Sequence, residues 1–416
     1  MKICHVNTND IFGGAARSAY RLHRELLKNE IDSSMFVQSK LSDDYTVKQR
    51  NTKYQKIMAK LRPHFDAMPK MVYRNKRSIP WSVNWLPNFN IKHLNLMQAD
   101  ILHLHWICAG FIPILALKDI CAPIVWTLHD SWAFTGGCHI PHDCFHYHES
   151  CGKCPQLGSR YYLDLSNIIW KQKQYVYKKK DILIVTPSNW LAKCAKSSTL
   201  LSDKQIEVIP NGIDCNIYKP IDKKNARNIL GINQNEKIIL FGAINSINDS
   251  NKGFQFLHSA LKMMYRIYDN KNIRIIIFGA SSPEVKVDFY YPVQYIGHLH
   301  DDFSLALLYS AADVFVCPSK MESFSNTVAE SLSCGLPSIA FNISGTVELI
   351  EHLQNGYLAK AYEPIDLANG IMWILEDERR WQFLSKNARN KMLNNYDISI
   401  IAKKHIDLYQ KIINKK

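Results

Sequence analysis

The sequence of 416 residues has no apolar run long enough to cross a membrane. A span needs about 18 consecutive apolar residues, whereas Gly110–Leu117 is apolar for only eight. A signal peptide is also missing, because the N-terminal segment Met1–Val6 reads as a first strand without the apolar core and cleavage site of an export signal. We therefore expect a cytoplasmic protein.

Internal repeats of the kind that build solenoids are absent as well. The hydrophobic content of 47% and the charged content of 21% are typical of a globular chain and argue against disorder, collagen or a coiled coil. A length of 416 residues predicts two or three domains of about 100–200 residues each.

Acidic residues are too few to balance the basic ones, with 37 Asp and Glu against 51 Lys and Arg. A basic surface attracts the phosphates of nucleic acids, anionic lipids or nucleotides, and solubility alone is the simpler explanation. We find no recognised nucleic-acid motif and expect no nucleic-acid partner. Segment 48–77 contains ten Lys and Arg and one acid, with apolar residues at helical spacing, which predicts a basic amphipathic helix.

Apolar runs alternate with helical patterns along the chain, which predicts a parallel α/β architecture. The predicted strands are Lys2–Asn7, Ile101–His105, Ile124–Leu128 and Ile182–Thr186 in the first half, and Ile238–Gly242, Arg274–Gly279, Val293–Ile296, Val314–Cys317 and Ser338–Phe341 in the second. The turn-rich segment Ile209–Asp214 separates the halves, and Ser399–Ile413 predicts a last helix. Two doubly wound sheets joined by one linker indicate a cleft enzyme with its ligands at the carboxyl ends of strands.

Two glutamates eight positions apart follow one of these strands, in the segment Glu322–Glu330. Ser325 or Asn326 can cap a helix whose N-terminus binds phosphate. Glu330 then lies about a turn inside the helix, where its carboxylate can accept from ribose hydroxyls, and Glu322 can face a hydroxylated ligand. The alternative is that Glu322 and Glu330 are two unrelated exposed glutamates that happen to have this spacing.

This segment resembles the E-x7-E motif of the retaining, nucleotide-sugar-dependent glycosyltransferases of family four, which have the GT-B fold of two Rossmann-like domains facing a cleft. The resemblance extends to Asp10–Arg17, Asp100–His105, Thr127–Asp130, Ile209–Asp214, Ser310–Pro318, Cys334–Pro337, Gly345–Glu348 and Asn355–Gly356. It implies an acceptor-side domain at 1–208, a nucleotide-sugar domain at 209–395, and a helix at 396–416 that packs back on the N-terminal domain.

The resemblance also implies the reaction. A sugar would pass from a nucleoside-diphosphate donor to a glycan or polyprenyl-linked acceptor with retention of configuration, in bacterial capsule, O-antigen or exopolysaccharide synthesis. A nucleotide-sugar epimerase or a phosphorylase of the same fold is the enzyme alternative, although a phosphorylase would require a cofactor lysine and a larger chain. A basic nucleic-acid-binding protein is the alternative from another class.

Roles for single residues follow from the same resemblance. His129 would contact the donor sugar and the leaving phosphate, and Lys252 would offset the charge of the leaving diphosphate. With Glu322 these are the predicted catalytic residues. The predicted donor-binding residues are Gly242, Phe324, Ser325, Asn326 and Glu330. The sequence departs from the family where Gly242 is followed by Ala243–Asn245 and not by the usual arginine.

Gly13 and Gly14 form a loop after the first strand that can approach a phosphate or acceptor closely. Arg17 lies in the next helical turn, where it would meet an anionic acceptor or remain exposed to solvent. We expect His103 and His105, on one strand, to point to opposite faces, so that at most one of them faces the cleft.

Eleven cysteines without an export signal argue against a disulfide framework. Four are bunched in a C-x5-C-x6-C-x2-C pattern, which suits a structural zinc held by thiolates. These are Cys138, Cys144, Cys151 and Cys154, with His139, His142, His146 and His148 as possible substitutes. Free thiols and disulfides are the alternatives. We expect no catalytic metal or organic cofactor, since four thiolates leave no open position and no D-x-D motif lies in a suitable loop.

The basic segment 48–77 could bring the protein to a membrane-bound acceptor. A protein that uses a polyprenyl-linked acceptor must reach the inner face of the plasma membrane, and the basic and apolar side chains of this segment would bind an anionic surface. A helix that merely packs on the N-terminal domain is the alternative.

Overall fold

The computed structural model describes residues 1–50, 52–77, 79–87, 90–242, 249–268, 272–280, 288–299 and 301–415. These residues form two compact units. The first unit comprises Met1–Gly212 and Ile401–Lys416, and the second comprises Ile213–Ile400.

The first unit is built on a parallel sheet of seven strands. The strands are β1 (Lys2–Asn9), β2 (Asp32–Ser39), β3 (Val47–Gln49), β4 (Ile101–Leu104), β5 (Ile124–Thr127), β6 (Ile182–Thr186) and β7 (Ile206–Val208). The helices of this part of the chain are α1 (Gly14–Lys28), α2 (Lys53–Ala67), α3 (Asn90–Leu96), α4 (Leu165–Lys179) and α5 (Asn189–Ser197). The strands follow the order β3-β2-β1-β4-β5-β6-β7.

The second unit contains a parallel sheet of six strands. These are β8 (Lys237–Gly242), β9 (Ile273–Phe278), β10 (Val293–Gly297), β11 (Val314–Cys317), β12 (Ser338–Phe341) and β13 (Gly356–Ala359), in the order β10-β9-β8-β11-β12-β13. The later helices are α6 (Lys223–Leu230), α7 (Phe254–Ile267), α8 (Asp302–Ala311), α9 (Asn326–Ser333), α10 (Pro364–Leu375), α11 (Glu378–Asn395) and α12 (Ile398–Ile413).

Both sheets are covered on their two faces, which is why their strands read as nearly continuous apolar runs. In the first unit, Ile3 and Val125 on one face pack in the same cluster as Ile401 and Tyr409 of α12. Most of α12 therefore completes the core of the first unit, although its residues follow the second unit in sequence.

The order of strands reverses in the middle of each sheet, between β1 and β4 in the first unit and between β8 and β11 in the second. Ligands of open parallel sheets bind outside the carboxyl ends of the strands at such a point. The loops there contain Gly13 and His105 in the first unit, and Lys252 and Glu322 in the second. The two doubly wound, Rossmann-like sheets predicted from the sequence are confirmed.

Within the described ranges, no helix combines the length and the apolar character that crossing a bilayer requires.

Candidate active site

Lys252 and Glu322 form an ion pair at the reversal point of the second sheet. The ammonium Nζ of Lys252 donates to Oε1 of Glu322 at 2.8 Å, and the two side chains are 24% and 14% exposed. Burial alone would lower the pKa of Lys252, but the Glu322 carboxylate raises it, with a net value of about 12. Lys252 therefore stays charged at neutral pH.

The backbone holds this pair in place. Asn251 accepts from the Lys320 amide through its carbonyl, and its side chain donates to the Met321 carbonyl, both at 2.8 Å. Gly253 has φ 70°, and a Cβ at this position would overlap the Pro318 carbonyl oxygen, so glycine is required. The loops after β8 and β11 are thus fixed against each other, which brings together two residues predicted separately.

Helix α9 begins beside this pair. Ser325 is its N-cap, with its hydroxyl accepting from the Val328 amide at 3.5 Å, and Asn326 is its first residue. Glu330, one turn further, is only 3% exposed and accepts a hydrogen bond from the Tyr309 hydroxyl at 3.2 Å. The capping predicted for Ser325 is present in the structure, and the predicted ribose contact of Glu330 stays a prediction.

The other predicted donor-binding residues lie further inside. Phe324 is buried, with its ring centroid 6.0 Å from that of Tyr396. Gly242 ends β8, and a Cβ there would overlap the Phe278 ring. Their donor contacts remain predictions, and the Ala243–Asn245 departure from the family pattern lies outside the described residues.

In the first unit, Gly13 precedes α1 with φ 94°, and the helix starts without a side-chain cap hydrogen bond. Gly14 is exposed, and the half-buried Arg17 donates its amide to the Gly13 carbonyl at 3.0 Å. A Cβ on Gly13 would meet nothing within 4 Å. The open space and the positive end of the helix dipole suit an anion, so the predicted phosphate or acceptor role stays a prediction.

Buried Asp10 fixes the start of this loop. Its carboxylate accepts from the amides of Leu41 and Ser42 at 2.9 and 2.8 Å and from the Ser42 hydroxyl at 2.7 Å. The sequence offered Asp10 only as part of a motif, with no signal for this anchoring role.

His129 is half-buried after β5 and contacts a second imidazole. Its Nε2 lies 3.0 Å from Nδ1 of His105, whose Nε2 lies 3.0 Å from Nδ1 of His5. The expectation that His103 and His105 point to opposite faces is wrong, because residues two apart on a strand share a face. Their ring centroids are 4.2 Å apart.

The imidazoles of this group are neutral at physiological pH. Burial lowers the pKa of His129 to about 4, although Asp130 acts in the opposite direction. Burial also holds the pKa values of His5 and His105 well below the usual range. Each ring consequently has one N–H donor and one acceptor nitrogen.

A second pair beside His129 could not be predicted from the sequence pattern. Oδ2 of Asp130 lies 2.6 Å from Nδ1 of His139 and accepts from the Trp106 indole at 2.9 Å. Nε2 of His139 lies 2.8 Å from the Ser82 hydroxyl. Burial raises the pKa of Asp130, but His139 lowers it to a net value below the ordinary range. His139 thus has both ring nitrogens engaged and is not available as a substitute zinc ligand in this arrangement.

No disulfide joins the four bunched cysteines, of which Cys138 and Cys154 are buried and Cys144 and Cys151 partly so. Burial raises the pKa of Cys151 to about 12. Among the described residues, the potential metal-binding atoms of His5, His103 and His105 all lie within 4.8 Å of one another. Zinc on the cysteines stays a prediction, which elemental analysis would test as about one zinc per chain.

Comparison with known proteins covers both units. The family model for glycosyltransferase family 4 matches residues 12–217, and that for glycosyl transferases group 1 matches residues 222–391. An uncharacterized glycosyltransferase of Methanocaldococcus jannaschii is 25% identical over 330 residues, 76% of each chain.

A further relative is the UDP-Gal:alpha-D-GlcNAc-diphosphoundecaprenol alpha-1,3-galactosyltransferase of Escherichia coli. It is 28% identical over 221 residues, which are 51% of this chain and 56% of the relative, so the chain spans less than two thirds of that protein. Among solved structures, sucrose-phosphate synthase from Thermosynechococcus elongatus shares the fold, with a TM-score of 0.71 and 17% identity over 100% of both chains. Consecutive family models on two doubly wound sheets confirm the resemblance seen in the sequence, and the chain belongs to the family-four glycosyltransferases with the GT-B fold.

Proposed function

We propose that this glycosyltransferase moves a sugar from a nucleoside-diphosphate donor to a lipid-linked or glycan acceptor with retention of configuration, in the synthesis of a bacterial surface polysaccharide. The observation that carries the proposal is the Lys252–Glu322 ion pair at the reversal point of the second sheet. The name of the Escherichia coli relative, with its UDP-sugar and diphosphoundecaprenol, supports this choice of donor and acceptor.

The chemistry of the pair suits departure of a diphosphate. Negative charge grows on the leaving phosphate in the transition state, and a fixed ammonium at that point stabilises it. Lys252 supplies this charge, and Glu322 holds it in position while its second oxygen can accept from a sugar hydroxyl. The dipole of α9 adds positive potential at its N-terminus.

Retention then follows from transfer on one face of the sugar. The acceptor hydroxyl attacks the anomeric carbon from the side that the diphosphate leaves, and its proton passes to the departing phosphate oxygen. His129 is neutral and able to donate or accept a hydrogen bond, so we assign it to the donor sugar and the leaving phosphate.

Segment 48–77 supports a lipid-linked acceptor. Arg62 donates to the Gly110 carbonyl at 2.6 Å and Lys70 to the Trp81 carbonyl at 2.6 Å, so these two cations hold the segment on the first unit. The apolar side chains of Ile57, Leu61, Phe65, Met68, Met71 and Val72 are nevertheless exposed, Val72 by 81%. Exposed Lys53, Lys60, Arg74, Lys76 and Arg77 accompany them. We propose that this surface binds the anionic inner face of the plasma membrane.

Sugar transfer tests the reaction. Purified protein is incubated with UDP-, GDP- and ADP-sugars labelled in the sugar, with and without a polyprenyl-diphosphate-linked acceptor, and the products are analysed for linkage. Transfer with the donor's anomeric configuration supports the proposal. An altered sugar released without acceptor would identify an epimerase, and an inverted linkage would exclude retention.

Two variants connect the result to the ion pair. Lys252→Met should lower kcat about 10–150-fold, the equivalent of a charge-assisted hydrogen bond of about 1.5–3 kcal/mol. Lys224→Met, which removes an exposed lysine of the same unit, is the matched control. Equal activity of the two variants would show that the Lys252–Glu322 pair does not contribute to catalysis.

A further inference from the structure

Three imidazoles form a row in the first unit that ends at His129. His5 lies on β1, His105 follows β4 and His129 follows β5, and these three strands are neighbours in the sheet. Both N···N contacts in the row are 3.0 Å. His5 and His105 are buried, and only His129 is partly accessible to solvent.

Both contacts in the row join the Nδ1 atom of one ring to the Nε2 atom of the next. Nδ1 of His5 faces Nε2 of His105, and Nδ1 of His105 faces Nε2 of His129. A hydrogen bond between two neutral imidazoles needs one N–H and one lone pair, and each ring has only one of each. If one ring donates through Nδ1, the next ring accepts at Nε2 and must itself carry its proton on Nδ1.

The three rings therefore share one tautomer. Either all three carry the proton on Nδ1, or all three carry it on Nε2, because a mixed set would place two protons or two lone pairs in one contact. We propose that His105 and His5 are positioning residues for His129, which set the nitrogen that carries its proton and so its hydrogen bonding toward the donor. This role rests on the proposed function of His129.

His103 shows that the row is specific. His103 lies opposite His5 in the register of β1 and β4, and its ring approaches that of His105 closely. Its nitrogens are nevertheless engaged elsewhere, at 2.6 Å from the Tyr409 hydroxyl and 2.7 Å from the Thr127 hydroxyl. The row therefore passes from His5 to His105 without His103.

A metal bound by His5, His103 and His105 is the rival explanation of the cluster. Both nitrogens of His103 and of His105 already have hydrogen-bond partners, which a metal would have to replace. A row of hydrogen bonds satisfies the nitrogens without importing charge.

Tautomers are read directly by long-range ¹H–¹⁵N spectra of protein labelled with ¹⁵N-histidine, with assignments from the His5→Phe, His105→Phe and His129→Phe variants. We expect one common tautomer for the three rings of the wild-type protein. Different tautomers at His5, His105 and His129 would overturn the proposal, as would a stoichiometric metal that is still bound after Cys138, Cys144, Cys151 and Cys154 are replaced by serine. The spectra need no substrate, so they remain decisive even if every donor proved inactive.

Kinetics of the same variants test the connection to catalysis. His105→Phe should mix the tautomers of His129 and lower kcat about 2–10-fold, as expected for one neutral hydrogen bond. His105→Gln keeps a donor and an acceptor and should restore part of kcat. Exposed His298→Phe is the control. If His105→Phe leaves both the His129 tautomer and kcat unchanged, His105 has no positioning role; if it fails to fold, the wild-type and His105→Gln spectra still decide.

Discussion

His23 of α1 has both ring nitrogens engaged, with Nδ1 at 2.7 Å from the Ser33 hydroxyl and Nε2 at 2.8 Å from the Thr46 hydroxyl. Burial lowers its pKa to about 4, although Asp44 acts in the opposite direction. His129 has a similar pKa, and burial lowers that of His405 to about 3. Each of these rings gains a proton more readily in the unfolded chain, where the pKa is about 6.5.

Acid should therefore destabilise the protein. Between pH 6.5 and pH 4 the unfolded state binds more protons, so the free energy of unfolding falls as the pH falls, and this stability is fully present only above pH 6.5. One histidine with the shift of His23 costs about 2 kcal/mol at pH 5. Denaturant titrations from pH 8 to pH 5 measure the slope, which His23→Asn should reduce by up to one proton. An unchanged slope in that variant would contradict the assignment.

The two glutamates of the E-x7-E segment should respond differently to substitution. Glu322→Ala removes the partner of Lys252 and should lower kcat about 10–150-fold with less effect on donor binding. Glu330→Ala should weaken donor binding. Because Glu330 is buried and bonded to Tyr309, Tyr309→Phe is the control that removes only the internal hydrogen bond. Titration of nucleotide binding and steady-state kinetics measure both effects, and full activity of both glutamate variants would remove these roles.

Asp313 joins three parts of the second unit just before β11. Its carboxylate accepts from Arg227 at 2.6 Å, from Lys223 at 3.0 Å and from the amide of Ile238 at 2.6 Å. Arg227 and Asp313 are buried, so α6 and β8 are connected through a charge that water does not screen.

Breaking this connection should cost more than removing an exposed ion pair. Asp313→Ala leaves a buried guanidinium without its partner, which typically costs about 3–5 kcal/mol. Lys223→Met, at the more exposed edge of the same cluster, should cost less. Urea unfolding of both variants measures the difference, and equal costs would show that burial of the Arg227–Asp313 pair is not the deciding factor.

The apolar pattern predicts β1, β4, β5 and β6 to within two residues, but it does not predict β2. That strand buries polar Ser33 and Ser34, and the hydroxyl of Ser33 is bonded to His23. Its apolar run is consequently limited to the three residues Met35–Val37. The edge strand β7 has only three residues, which are too few to give a pattern.

In the candidate site, too, some features could be predicted from the sequence and others could not. Lys252 and Glu322 are each recognisable beside a predicted strand, but their contact depends on β8 and β11 being neighbours, which the sequence does not state. The Asp130–His139 pair and the place of His5 depend on rings that meet across strands and loops. Such contacts come from tertiary packing, for which spacing along the chain gives no signal.

The basic and apolar surface of segment 48–77 makes a prediction for the whole protein. We expect binding to anionic vesicles, none to neutral ones, and weaker binding at physiological than at low salt, because screening reduces the attraction. Replacing Lys53, Lys60, Arg74 and Lys76 by glutamate should abolish binding and leave activity on a soluble acceptor analogue intact.

The control carries the same change of net charge elsewhere. Lys171, Lys178, Lys193 and Lys403 are exposed, and their replacement by glutamate should leave most vesicle binding in place. Flotation of vesicles with each protein measures the bound fraction. Equal binding by the wild-type protein and the first variant would show that this segment is not the anchor.

The position of α12 has a consequence for how the protein is made. Residues 1–212 leave the ribosome first, and domains usually fold as they emerge. The core beneath Ile3 and Val125, however, is completed by Ile401 and Tyr409. The first unit must therefore wait, with one apolar face uncovered, while the whole second unit is synthesised. During that interval the uncovered apolar face is prone to aggregation. We expect a premature stop codon near position 400 to damage the first unit, although almost all of the codons for that unit precede it.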